Sequence, residues 1–179
     1  MAILQNLTCP MPTNLNPLSP NGFQFSITKL PEVSYFCQEV NLPEMTLGVA
    51  EQATPFSDAK IPGDKLQYGE LQLQFLIDED MGNYIAIYNW LSGLGFPKDK
   101  TQYVTWLNDH DMMNSSELQK GYSDGVLAIL SNSNSPSKAI RFIDMFPTGL
   151  NSITFQSTSS DVTYLVGNAS FAFSYYEFE

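Results

Sequence analysis

The single histidine, His110, lies in Asn108-Asp109-His110-Asp111, where an imidazole between carboxylates has the makings of a metal ligand set or a general base. One histidine with adjacent acids arises cheaply by chance, and a polar loop between two apolar segments accounts for it better. A Ser-His-Asp triad needs no adjacency in sequence, but no pattern here supports one. The acidic run Asp78-Glu79-Asp80 lacks the ligand spacing of a calcium loop and is read as helix capping. Ser92-Gly93-Leu94-Gly95 lacks the further glycine of a dinucleotide loop and follows a helical pattern rather than a strand, so it is read as a helix stop. Trp90, Trp106, Tyr175 and Tyr176 have faces that stack on bases, yet no basic residues interleave with them. Cys9 and Cys37 match neither a zinc site nor a redox pair and are expected to be small buried hydrophobes. The Asn-x-Ser/Thr triplets at Asn6, Asn114 and Asn168 carry no weight without a secretion signal. No catalytic residue, cofactor or metal site is expected.

The elements around these residues follow from the apolar spacing. Residues 1–22 hold Pro10, Pro12, Pro17 and Pro20 and predict an extended arm, followed by a single domain over 23–179. Phe23, Phe25 and Ile27 alternate with polar residues as a half-buried strand does, and Val33, Tyr35 and Cys37 predict a second strand that forms a hairpin with it. Between Asn41 and Asp64, Pro43, Pro55, Pro62, Gly48 and Gly63 predict a long excursion with at most short strands, suited to touching a neighbour. Leu71, Leu73, Phe75 and Ile77 alternate with Glu70, Gln72 and Gln74 in a strong strand signal. The period then changes, and Met81, Tyr84, Ile85, Tyr88 and Leu91 predict one helix, capped by Asp78 and stopped at Gly93 and Gly95. Further strands are predicted over 126–130, 140–146 and 153–155, and a terminal pair, Val162 to Val166 and Phe171 to Tyr175, about a Gly167-Asn168 turn. The expected fold is mainly β, an antiparallel sandwich or barrel with one capping helix.

Composition narrows the function. The chain of 179 residues is 43% hydrophobic and only 15% charged, less than the roughly one quarter typical of soluble domains, as happens when surface is covered by other copies. With 8 basic and 19 acidic residues the formal net charge is −11, which opposes tight or sequence-reading DNA binding yet suits a wall that nucleic acid slides past. The two cysteines, read as free thiols, make a reducing cytoplasm the natural compartment, and no run approaches the length of a membrane helix, so no membrane anchor is expected.

The order of short motifs resembles the tail tube proteins of contractile-tailed, T4-like bacteriophages. The residues concerned are Phe23-Gln24-Phe25, Phe36-Cys37 with Leu42-Pro43, Gly63-Asp64, Asp78-Glu79 with Trp90, and Phe146-Pro147-Thr148 leading to Tyr175-Tyr176-Glu177-Phe178-Glu179. The likeness runs from about Asn21 onward; the proline-rich arm and the segment from Asp99 to Tyr122 depart from it. It implies a non-enzymatic virion protein, assembled in the host cytoplasm, whose strands join edge to edge into rings of six. The rings stack into a hollow tube for DNA ejection, with tail sheath, baseplate and neck proteins as partners. Related folds serve as initiator or terminator rings at the baseplate or neck, which is the alternative expectation. A small β-sandwich binding module or enzyme is a more distant one. Intersubunit contacts are expected at Pro43, Pro55, Ile61, Gly63, Asp64, Glu70, Gln72 and Gln74.

Overall fold

A computed structural model describes residues 15–53, 55–95, 97–99, 101, 104–105, 121–157 and 163–179. Cys9, Trp106, His110 and Val162 lie outside the described residues, as do Asn6, Asn114 and most of the arm. In chain order the elements are β1 (Phe23–Ile27), α1 (Pro31–Tyr35), β2 (Cys37–Val40), β3 (Met45–Gln52), β4 (Ala59–Tyr68), β5 (Leu71–Leu76), α2 (Gly82–Gly95), β6 (Ser123–Leu130), β7 (Pro136–Leu150), β8 (Val166–Ala172) and β9 (Tyr175–Phe178). Every ladder is antiparallel. One sheet runs β1-β6-β7-β8-β5-β2, with β9 also on β7, and β3-β4 forms a separate ribbon. The mainly β, antiparallel expectation holds. The sheet is not a closed barrel, because β1 and β2 end the order without pairing with each other.

The 15-residue strand β7 organises the rest. Its earlier part pairs with β6 and, over Ile140–Ile143, with β9, whereas Phe146–Leu150 pairs with β8. The two parts meet at Asp144, whose φ of 55° lies in the left-handed region, beside a register shift opposite Ser123 and Gly125. Such a bulge re-aims a strand and lets it serve two half-sheets. The Ser174 hydroxyl donates to the Asp144 carboxylate at 3.3 Å and holds the corner. Both half-sheets feed one core: Phe25, Ile27, Leu127, Ile140, Phe142 and Met145 from one, Leu71, Leu73, Phe75, Ala169 and Phe171 from the other. Phe142 packs edge-on against Phe25 and Phe173 at 6.4 and 5.2 Å between centroids. Helix α2 completes the core with Ile87 and Trp90, the indole lying 6.1 Å from Phe171.

Several sequence expectations change. Val33 and Tyr35 lie in helix α1, begun by Pro31 at its first turn, so β1 and β2 form no hairpin; β1 pairs with β6 and β2 with β5. The excursion from Asn41 to Asp64 is largely the long β3-β4 ribbon. Helix α2 begins at Gly82, because Asp78 to Met81 first forms a turn, with the Met81 amide on the Asp78 carbonyl and Met81 at φ 55°. The Asp78 carboxylate still accepts from the Asn83 amide at 3.4 Å, and the Asn83 side chain donates to the Leu76 carbonyl at 2.7 Å, tying the helix to the end of β5. Residues 153–155 form no strand, and Gly167-Asn168 lies inside β8 rather than at a turn.

Gly167 is required there by packing. It stands opposite Phe75, and an added Cβ would sit 2.7 Å from the ring's Cζ. The ring is wholly buried and has nowhere to retreat. Gly167→Ala is expected to cost about 1–3 kcal/mol in urea denaturation. Gly149→Ala, whose Cβ would meet nothing closer than 3.8 Å, is expected to stay within about 0.5 kcal/mol.

Lys29 adds a pH dependence. Its amine lies 5.6 Å from the Trp90 ring centroid. Burial pulls its pKa down to about 8, with the Asp124 carboxylate opposing the shift. The folded chain therefore binds fewer protons than the unfolded one between about pH 8 and 10.5, and this group makes stability rise across that window. Below it the charged amine opposes folding in full. Thermal melts at about pH 7 and about pH 10 should show the rise in the parent and its loss in Lys29→Met.

Candidate assembly interface

The surfaces most in need of a partner are made by backbone pairing rather than by catalytic groups. In the ribbon, all of β3 is exposed, and in β4 only Gly63 and Tyr68 are half-buried. Register puts Met45 opposite Tyr68 and Leu47 opposite Leu66, so these four share one face at the ribbon's root. Tyr68 continues this strip onto the body, with ring centroids 5.7 Å from Phe173 and 5.4 Å from Tyr176. Val49, Ile61 and Phe56 extend the apolar exposure outward, Phe56 being fully exposed. A two-stranded hairpin is marginal alone in water, and apolar residues on one that leaves the body call for cover.

Open sheet edges supply the second feature. Among the described residues β2 has no strand on its outer side and Phe146–Leu150 pairs only with β8. Pro147 sits in that segment, where a proline is tolerated if its nitrogen faces an unpaired side. Beside the β2 edge, burial pushes the Cys37 thiol up to about 11, against a weak hydrogen bond to the Glu39 carbonyl that lowers it, so it is inert near neutral pH.

The residues expected at contacts fall into two groups. Pro55, Ile61, Gly63 and Asp64 lie on the ribbon, Pro55 exposed near its tip and Gly63 at the crowded bulge opposite Gly48. Glu70, Gln72 and Gln74 lie in and just before β5, with Gln72 and Gln74 facing away from the core. Pro43 is buried, so it secures the ribbon's root and presents no surface. Met45, Leu47, Val49 and Leu66 were missed, although their alternation was visible in the sequence. Trp90 is buried and donates its indole N–H to the Gly121 carbonyl at 3.1 Å, which removes it as a surface stacking platform. No cluster of potential metal ligands occurs among the described residues, and no described helix is long and apolar enough to cross a membrane.

This antiparallel β fold is shared with solved chains of contractile systems. The cap of the anti-feeding prophage tube superposes with a TM-score of 0.63 at 14% identity, covering 97% of each chain. A chain of the sheath/tube terminator of the PVC extracellular contractile injection system gives 0.56 at 18%, over 92% of this chain and 97% of that one. The chain belongs to the phage tail tube protein family, whose model matches residues 6–179. In sequence it is 26% identical over 171 residues to the tail tube terminator protein of Enterobacteria phage T4, covering 92% of this chain and 90% of that one. It is thus a structural component of a phage tail, and so of the virion, from a family that is not one of enzymes.

Proposed function

We propose that this protein forms the terminator ring that ends the tail tube of a contractile-tailed phage. The sequence pointed first to a stacked tube subunit and kept the terminator as the alternative. The reading is carried by the similarity to the T4 tail tube terminator along nearly the whole of both chains. Geometry supports a ring: β2 of one copy meets Phe146–Leu150 of the next, a head-to-tail contact that extends the half-sheet until it closes. Six copies close it, as the family resemblance implies. The ribbons and the arm over residues 1–22 reach the tube below, and sheath and neck proteins dock outside. Viral DNA passes through the lumen without sequence reading, and the ring assembles in the host cytoplasm.

A tube-subunit reading has the family's description in its favour. Negative-stain microscopy with light scattering separates the two. Discrete rings that do not elongate support the terminator, long hollow tubes transfer the chain to the tube itself, and a persistent monomer at high concentration overturns both.

A further inference from the structure

Gln72, Gln74 and Asn168 stand together on the face of the β2-β5-β8-β7 half-sheet that points away from the core. Register aligns Glu39, Gln74 and Asn168 in one row, and the Asn151 amide continues it by donating to the Asn168 carbonyl. Gln72 and Ser170 form the next row, with the Asn41 side chain accepting from the Gln72 amide at 2.6 Å. These rows line a shallow concavity of about 270 Å³. Glu39 is the one ionisable residue among those lining it, in a chain of net charge −11. The side-chain amides of Gln72, Gln74 and Asn168 have no hydrogen-bond partner among the described residues, whereas the Gln72 backbone N–H is the group that Asn41 accepts from.

Charge is placed elsewhere. The opposite half-sheet carries the exposed Arg141–Asp124 pair, at 2.6 Å, with Glu177 beside Arg141 in register. The ribbon carries Glu51, Lys60, Asp64 and Lys65. The amide face also lacks what anchors a protein partner, for no aromatic or arginine lines its concavity. If β2 and the end of β7 close a ring, the core, α2 and the opposite half-sheet lie outside, and this face becomes the inner wall.

We infer that this amide face is a contact surface for the phosphate backbone of nucleic acid in the channel. The inference rests on the ring reading above. Side-chain amides donate to phosphate oxygens without neutralising them, so each contact is weak and releases no counterion. A wall of this chemistry lets a duplex slide while keeping it centred. It differs both from a basic wall, which would grip, and from an acidic wall, which would repel.

The test places a photo-crosslinking side chain at position 74, with one at Tyr88 on the exposed side of α2 as control. The full chain is mixed with a linear duplex, with its ends open or blocked by streptavidin. Rings are scored by microscopy on the same samples. Crosslinks to DNA at position 74 and not at position 88 are expected, and only with open ends. Their yield should change by less than about twofold between about 50 and 200 mM salt. The variant Asn151→Asp/Asn168→Asp/Ser170→Glu, with the crosslinker at position 74, should form rings and lose about tenfold in yield relative to the same crosslinker in the parent, from repulsion. Rings without DNA crosslinks at position 74, crosslinks there to protein instead, equal crosslinking at position 88, or indifference to blocked ends would each overturn the inference alone. Absence of rings would overturn the ring reading, and the inference with it.

Discussion

Gly63→Val is expected to abolish assembly while leaving the body of the protein folded. A Cβ at Gly63 would lie 2.5 Å from the Gly48 carbonyl oxygen and 2.9 Å from its carbon. Both are backbone atoms, so no rotamer change relieves the contact, and the strands must part at the bulge where Leu47 pairs with Leu66 and Val49 with Pro62. Beyond that point the displaced ribbon no longer presents Val49, Ile61 and Phe56 to a neighbour. No residue of β3 or β4 belongs to the buried core, so the melting temperature should move by only about 1–2 °C. Sedimentation velocity should find monomer under conditions in which the parent forms the proposed rings. Leu47→Thr/Leu66→Thr removes apolar surface but keeps β-forming residues, and it should act the same way. Normal rings from both variants would remove the ribbon from the interface. A large fall in melting temperature would show the ribbon to be part of the domain's own stability.

Much of the fold was legible because burial is one-sided and leaves a period. Leu71, Leu73 and Phe75 in β5 were readable for that reason, and Val126 to Leu130 and Ile140 to Phe146 fall inside β6 and β7. The helix α2 was found but its inward face was not: Asn83, Ile87 and Trp90 are buried, while Ile85 and Tyr88 of the expected stripe are exposed, because apolar residues lie all round this helix and leave no single stripe to read. Helix α1 was not legible. Val33, Tyr35 and Cys37 mimic a strand, yet Val33 is buried, Tyr35 is exposed, and five residues are too few to show a helical period. The ribbon was missed because Gly48, Pro62 and Gly63 were read as breakers. In a two-stranded ribbon each strand keeps a free edge, so proline is tolerated, and the paired glycines let the backbones approach. Pairings such as β1 with β6 join residues about a hundred positions apart and leave no local trace. At the candidate interface, Gly63 and Gln74 were named as expected contacts from type and place in the pattern. The exposure of Leu47 and Val49 and the burial of Pro43 depend on a topology that no local window contains.

Trp90→Ala should be the most destabilising single change within the body, about 3–5 kcal/mol. The side chain is 1% exposed, packs on Phe171, and lies in the same core cluster as Ile87, Leu71 and Phe75. Its removal leaves a cavity in close-packed surroundings, and the Gly121 carbonyl loses the indole N–H that met it at 3.1 Å. That hydrogen bond also ties α2 to the chain entering β6, so the helix and the half-sheet should loosen together. Trp90→Phe keeps most of the volume but not the donor, and its cost should be roughly half that of alanine. Lys29 against the ring isolates the cation–π part of the loss: both variants weaken that contact, so Lys29→Met should rescue part of each by removing a half-buried charge. Urea melts of the three single and two double variants would test this. If Lys29→Met stabilised the parent as much as the variants, the ring would contribute nothing to holding that charge, and burial of the amine alone would set its cost.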